Sequence, residues 1–276
     1  IVCRSEYPLD NGIKDKIALF CNVPSSHVLQ NLDVEYLYEA PLAMEEEHLA
    51  QVACECLGLP CPEPNLSDWK AMCTALKHPK GEVSVALVGK YTQLHDAYIS
   101  VVESLKHGGI ANGVSVNIKW VDSEKVTAEN VEEFLGDVSG IIVPGGFGDR
   151  GIEGMIQSIR YAREKKVPFL GLCLGMQLTI VEFTRDVVGY NDAHSVEFLP
   201  GTTHPVIHLM PDQEGIDDIG GTLRLGSYPC ILDESSKAYA LYGSREIHER
   251  HRHRYEVNND FRNVLTENGM LLSGIS

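Results

Sequence analysis

Residues 167–177 read VPFLGLCLGMQ: an apolar run, Val167-Pro168-Phe169-Leu170, leads straight into Gly171-Leu172-Cys173-Leu174-Gly175-Met176-Gln177. A cysteine with a glycine two places to either side, where a buried strand gives way to a helical pattern, has the G-x-nucleophile-x-G form. Such a turn is tight, so its flanking residues must be small, and it holds the central side chain out over the sheet edge. A helix N-terminus would put the Cys173 sulfur near unpaired N–H groups, which favours thiolate. The N–H of Leu174 would then point where an oxyanion forms. A second glycine-rich loop, Pro144-Gly145-Gly146-Phe147-Gly148, ends the preceding strand, and glycine there lets a backbone amide approach a ligand closely. For a lone G-x-C-x-G, a small buried packing cysteine is the plain alternative; the second loop weighs against it.

Outward from this turn the chain alternates. Residues 83–88, 114–121, 138–143 and 167–172 read as strands; residues 96–106, 128–135 (capped by Thr127), 152–165 and 174–185 read as helices. That order predicts an α/β fold: a parallel sheet with helices on both faces and its site at the carboxyl ends of the strands. After Tyr190 the alternation stops, leaving extended segments at 220–225, 249–257 and 270–276. Upstream, KIALFCNVP (16–24) reads as a buried strand closed by Pro24, and 44–57 as a helix with Glu45, Glu46 and Glu47 in its first turn. The proline-rich 59–81 reads as an interdomain linker containing a helical turn or two, anchored by Trp69. The expected domains are therefore 1–58, a linker 59–81, and 82–276.

With 276 residues, 43% hydrophobic and 22% charged, the chain can bury a sizeable core. Its 23 basic against 39 acidic residues leave −16, which argues against general nucleic-acid or anionic-membrane binding. No apolar run approaches a membrane span, so a cytoplasmic, reduced protein is expected for the eight cysteines. Cys54, Cys56, Cys61 and Cys73 superficially suggest zinc, but Cys54 and Cys56 lie two apart on a helix and point to different faces. No metal site is expected.

The two glycine-rich loops together resemble the class I (triad) glutamine amidotransferases. Longer motifs narrow the resemblance to the CTP synthase family: Val88-Gly89-Lys90-Tyr91 with Asp96-Ala97-Tyr98, Gly220-Gly221-Thr222-Leu223-Arg224-Leu225-Gly226, and the stretch from Glu249 to Asn258, ERHRHRYEVN. The segment from Lys16 to Val23 is similar to the end of that family's P-loop-type synthetase (amidoligase) domain. The resemblance implies an enzyme that amidates UTP to CTP with ATP and Mg2+, fed by ammonia from L-glutamine, promoted by GTP, inhibited by CTP and assembled as a homotetramer. It implies Cys173 as nucleophile through a γ-glutamyl thioester, and Gly146 and Leu174 as oxyanion donors. It further implies Gly146, Leu174, Gly175, Met176, Gln177, Glu197 and Arg254 around the glutamine, Lys16, Asp33 and Val34 near nucleotide, and Arg150 and Arg224 toward GTP. A zwitterionic amino acid needs an acid for its ammonium and a base for its carboxylate, which Glu197 and Arg254 would supply.

The family's general base is a histidine in a His-Pro-Glu stretch, and none of the eleven histidines here has glutamate two places on. Nor does G-x-x-x-x-G-K-[ST] occur. An internal segment of a longer enzyme is therefore expected, with very weak glutaminase activity and no CTP formation from these residues alone. The alternatives are another triad amidotransferase partner, a catalytically inactive regulatory or binding module, and a redox or hydrolase relative sharing the elbow. Apolar ends at Val2 and Leu271 predict poor solubility.

Overall fold

The structure, a computed structural model, describes residues 1–209 and 224–276. It divides into two compact units: residues 1–81 with 108–115, and residues 82–107 with 116–276.

The first unit pairs β1 (Val2–Ser5) in parallel with β2 (Leu29–Leu32) and packs four helices, α1 (Asn11–Cys21), α2 (Ala40–Glu46), α3 (Leu49–Leu57) and α4 (Ser67–Lys77). The strand expected at 16–24 is a helix, α1. Asp10 caps it by accepting from the Ile13 N–H at 2.8 Å, and Asn22, at φ 53°, closes it with an N–H bond to the Ala18 carbonyl. The apolar run misled because only Ala18 of α1 is buried. Lys16 thus projects from an exposed helix rather than a strand edge. Glu45 and Glu46 sit at the carboxyl end of α2, not in a first turn, and His48 at φ 61° separates α2 from α3. Glu47 is no solvated helix start: it accepts from Lys14 Nζ at 3.2 Å and Gln30 Nε2 at 2.8 Å. Burial pushes its carboxyl up, but the Gln30 and Lys14 bonds pull it below the usual range. The expected linker contains the 11-residue helix α4 instead of a turn or two, and Trp69 anchors it by donating to the Tyr38 carbonyl at 2.7 Å.

Leu19 and Phe20 on α1 are each 79% exposed, more than Val2. Adjacent exposed apolar side chains promote self-association. The 276-residue chain should therefore associate in light scattering, and the double substitution Leu19→Glu, Phe20→Lys should reduce this markedly. Unchanged association would place the sticky surface elsewhere.

From residue 82 the chain runs β3 (Glu82–Gly89), α5 (Ile99–Asn112), β4 (Ser115–Asp122), α6 (Val131–Leu135), β5 (Gly140–Val143), α7 (Ile152–Lys165), β6 (Phe169–Gly171) and α8 (Leu174–Phe183), the last turn of α5 and Ser115 belonging to the first unit and the rest to the second. The strands form one sheet in the order β4-β3-β5-β6, parallel where β5 meets β3 and β6. Helix α7 buries Ile152, Met155, Ile156 and Ile159, the i, i+3, i+4, i+7 stripe of a core-facing helix. Helix α6 begins after Asn130 rather than Thr127 and has no side-chain cap; the Asn130 Oδ1 instead accepts from the Thr127 N–H at 2.7 Å. Then follow β7 (His194–Ser195), β8 (Pro205–Leu209), β9 (Arg224–Leu232), α9 (Lys237–Tyr242), β10 (Glu246–His253), β11 (Tyr255–Val257), α10 (Arg262–Glu267) and β12 (Gly274–Ile275). These make two small sheets, β11-β8-β7 and β10-β9-β12. The extended reading at 220–225 lies outside the described residues from Gly220 to Leu223 and is met by β9 from Arg224.

Candidate active site

Because β3, β5 and β6 run parallel, their carboxyl ends deliver Lys90, the Pro144–Gly148 loop and Cys173 to one edge of the sheet. The turn after β6 closes through the Leu172 N–H, which donates to the Val143 carbonyl of β5 at 2.9 Å. Cys173 then adopts φ 55°, ψ −108°, a conformation that side chains rarely occupy, and its own carbonyl begins α8. The flanking glycines are steric requirements: a Cβ on Gly171 would lie 2.6 Å from the Gly175 carbonyl, and one on Gly175 2.0 Å from the Val143 oxygen. The second loop passes directly over the nucleophile, since a Cβ on Gly145 would be 3.1 Å from the Cys173 Cβ and 3.5 Å from Sγ.

The electrostatics correct one expectation. Burial pushes the Cys173 thiol up, the Leu174 N–H bond to sulfur only partly offsets this, and the charge of Glu197 adds to the rise. Desolvation by burial outweighs the one helix-terminal amide, so the fold disfavours the thiolate that a helix N-terminus alone would favour. Among the described residues no histidine is hydrogen-bonded to the sulfur.

Glu197 faces this pocket from the segment after β7. Burial pushes its carboxyl up, against the pull of Lys90, Arg254 and the Gly148 N–H. Arg254 precedes β11 and keeps its buried Nε without a hydrogen-bond partner. The charge of Glu197 and the Leu174 amide thus act on the sulfur, and Arg254, with a free donor, lies in the field of Glu197.

Not every expected residue reaches this space by its side chain. Gln177 is buried and donates to the Tyr255 carbonyl at 2.9 Å, tying α8 to β11. Met176 packs against the core, and Gly175 offers only backbone. Arg150 is committed three ways: to Glu124 at 2.8 Å, to the Lys90 carbonyl at 3.0 Å, and over the Tyr91 ring at 5.5 Å. Arg224 lies over the Tyr228 ring at 4.4 Å, with the Glu256 carboxylate at 4.0 Å. Lys16, Asp33 and Val34 belong to the first unit, where Asp33 is ion-paired with Arg4 just past β2.

Sequence reasoning assigned no role to Lys90, although the GKY after a predicted strand places it at a sheet's carboxyl end. It is buried, and its Nζ donates to the carbonyls of Phe147 (3.1 Å) and Gly148.

The profile of the glutamine amidotransferase class-I family matches residues 93–272. The chain belongs to that family. The class I glutamine amidotransferase match covers the elbow, the Gly145–Gly148 loop, Glu197 and Arg254 together. The profile described as CTP synthase N-terminus matches residues 1–59. Over all 276 residues the chain is 55% identical to the CTP synthase of Clostridium acetobutylicum and covers 52% of that relative. The same identity and coverage hold for the CTP synthase of Ruminiclostridium cellulolyticum. The chain thus spans about half the length of the curated relatives it matches. Among solved structures, the Trypanosoma brucei CTPS glutaminase domain with bound acivicin is 38% identical at a TM-score of 0.65, over 70% of this chain and 74% of that one.

Among the described residues no group of three or more His, Cys, Asp or Glu converges as a metal ligand set, and no helix is long and apolar enough to cross a membrane.

Proposed function

We propose that this chain hydrolyses the side-chain amide of L-glutamine at Cys173 and so supplies ammonia to a protein that converts UTP to CTP. The observation that carries the reading is Cys173 at φ 55° on the start of α8, beneath Gly145 and facing Glu197. The sulfur attacks the amide carbon, and the oxygen that gains charge is held by the Gly146 and Leu174 amides. The C–N bond breaks, ammonia departs with the thiol proton, and water then cleaves the γ-glutamyl thioester to release glutamate. Glu197 receives the substrate ammonium, which also removes the negative charge now opposing ionisation of the thiol. Arg254, with its unpartnered Nε, receives the carboxylate. Proton transfer needs a base that the described residues do not bring to the sulfur.

Within this reading residues 1–58 belong to a synthetase domain, 59–81 to a linker and 82–276 to the amidotransferase domain. Lys16, Asp33 and Val34 are assigned toward UTP and ATP, with Mg2+ chemistry residing outside these residues. Arg150 and Arg224 are assigned to the response to GTP, with CTP as feedback inhibitor, in a cytoplasmic homotetramer. The support for these assignments is the match of all 276 residues to about half the length of CTP synthases. A catalytically inactive regulatory or binding module is the second reading, favoured by the lack, among the described residues, of a histidine bonded to the Cys173 sulfur.

Intact-mass labelling with acivicin, a cysteine-targeting inhibitor, separates these. One adduct is expected, suppressed by excess glutamine and abolished by Cys173→Ala. A folded protein that takes no glutamine-protected adduct overturns the proposed hydrolysis.

A further inference from the structure

Lys90 is 5% exposed, and lysines are rarely buried without a carboxylate partner. Here the ammonium instead donates to two successive backbone carbonyls, Phe147 at 3.1 Å and Gly148. Its own backbone is fixed on both sides. The N–H groups of Lys90 and Tyr91 donate to the Tyr98 hydroxyl at 3.2 and 3.3 Å, and Arg150 Nη2 donates to the Lys90 carbonyl at 3.0 Å. Tyr98 fits only because residue 89 is glycine, where a Cβ would lie 2.5 Å from the phenol oxygen. Lys90 is therefore a rigid post at the end of β3, not a mobile surface lysine.

The post orients peptide planes. In a trans peptide the C=O and the next N–H point in opposite directions. Drawing the Phe147 carbonyl toward Lys90 turns the Gly148 N–H the other way, and that N–H is one of the groups that pull the Glu197 carboxyl down. The lysine stem also lies against Gly146, where a Cβ would be 3.4 Å from the Lys90 Cε. One residue earlier, Gly145 packs on Cys173. A single side chain thus holds the loop that offers the Gly146 amide and fixes the amide that orients Glu197. Losing the ammonium would leave two inward-facing carbonyls without their donor, and the peptides would be free to flip.

We propose that Lys90 is a positioning residue whose ammonium clamps the Phe147 and Gly148 carbonyls, setting the Gly146 oxyanion amide and the Gly148–Glu197 contact together. The proposal rests on the glutamine-hydrolysing reading of Cys173.

The test uses the protein at its full natural length, with Lys90→Met and Lys90→Arg. Two reagents are compared at Cys173: acivicin, which needs the formed glutamine pocket, and iodoacetamide, which needs only a reachable thiol. For Lys90→Met the acivicin rate should fall about 100-fold while the iodoacetamide rate stays within about 3-fold, as expected for misplaced groups around an intact nucleophile. Glutamine turnover should show both a lower kcat, from the oxyanion amide, and a higher KM, from Glu197. Lys90→Arg, which keeps donors on a longer fork, should recover about tenfold of the labelling loss. Wild-type acivicin labelling in Lys90→Met, or a parallel fall with both reagents, overturns the proposal. Should Lys90→Met fail to fold, Lys90→Arg decides: a wild-type rate with both reagents, or an equal loss with both, sinks it. Failure of the glutamine reading looks different, because the wild-type protein itself would then show no glutamine-protected adduct.

Discussion

Gly175→Ala is expected to destabilise the second unit by about 3 kcal/mol and to cut acivicin labelling of Cys173 by about 100-fold. A Cβ at this position would sit 2.0 Å from the Val143 oxygen, 2.8 Å from its carbonyl carbon and 3.0 Å from its Cβ. The obstacle is backbone, so no rotamer change relieves it. Val143 cannot retreat either: it lies in β5, in register with Gly171 of β6, and its carbonyl accepts the Leu172 N–H that closes the elbow. The start of α8 must therefore move, and Cys173 with it. Gly201→Ala is the matched control, with nothing within 4 Å of its Cβ position and no left-handed φ; it should stay within about 0.5 kcal/mol. Urea midpoints and labelling rates measure both effects. Wild-type values for Gly175→Ala would mean the elbow is looser than its geometry indicates.

The same geometry explains what could be read from the sequence. The elbow and α7 were legible because each is a strict local pattern: two glycines around a cysteine, and a stripe of buried residues from Ile152 to Ile159. The parallel sheet followed from alternation alone. Helix α1 was misread because IALFC (17–21) is apolar in consecutive positions, so periodicity could not separate strand from helix. Asp10 and Asn22, the residues that cap it, carried the information instead. Glu47 was misread because its partners are Lys14 and Gln30, distant in sequence. The sign of the Cys173 shift was also out of reach. A helix terminus is visible in sequence, but the burial that outweighs it and the approach of Glu197 are not. Lys90 combines both lessons. Its place at the end of a strand was legible, but its two carbonyl partners lie 57 and 58 residues away.

Arg163→Met is expected to reduce stability at neutral pH by about 3 kcal/mol, the low end for breaking a buried ion pair because the Arg163 side chain is about a third exposed. Its partner Glu182 is 1% exposed on α8, and Arg163 Nε donates to both carboxylate oxygens, at 2.9 and 3.2 Å. Burial pushes the Glu182 carboxyl above its usual range and Arg163 pulls it only part of the way back. A carboxyl whose folded value is raised contributes stability below its unfolded value, near 4.5, and loses it as pH rises through the folded value. Removing Arg163 raises the folded value further. The deficit of the variant must therefore widen as pH rises from that range, and urea midpoints should differ more at about pH 7.5 than at about pH 5. Arg163→Met with Glu182→Met removes the orphaned charge and should recover most of the loss. A pH-independent deficit, or a double variant as weak as the single one, would show that the pair is not what couples α7 to α8. The elbow should survive either way under native conditions. Glu182 sits about two and a half turns from Cys173, so the pair holds the helix in place while Gly171, Gly175 and the Val143 carbonyl shape its start.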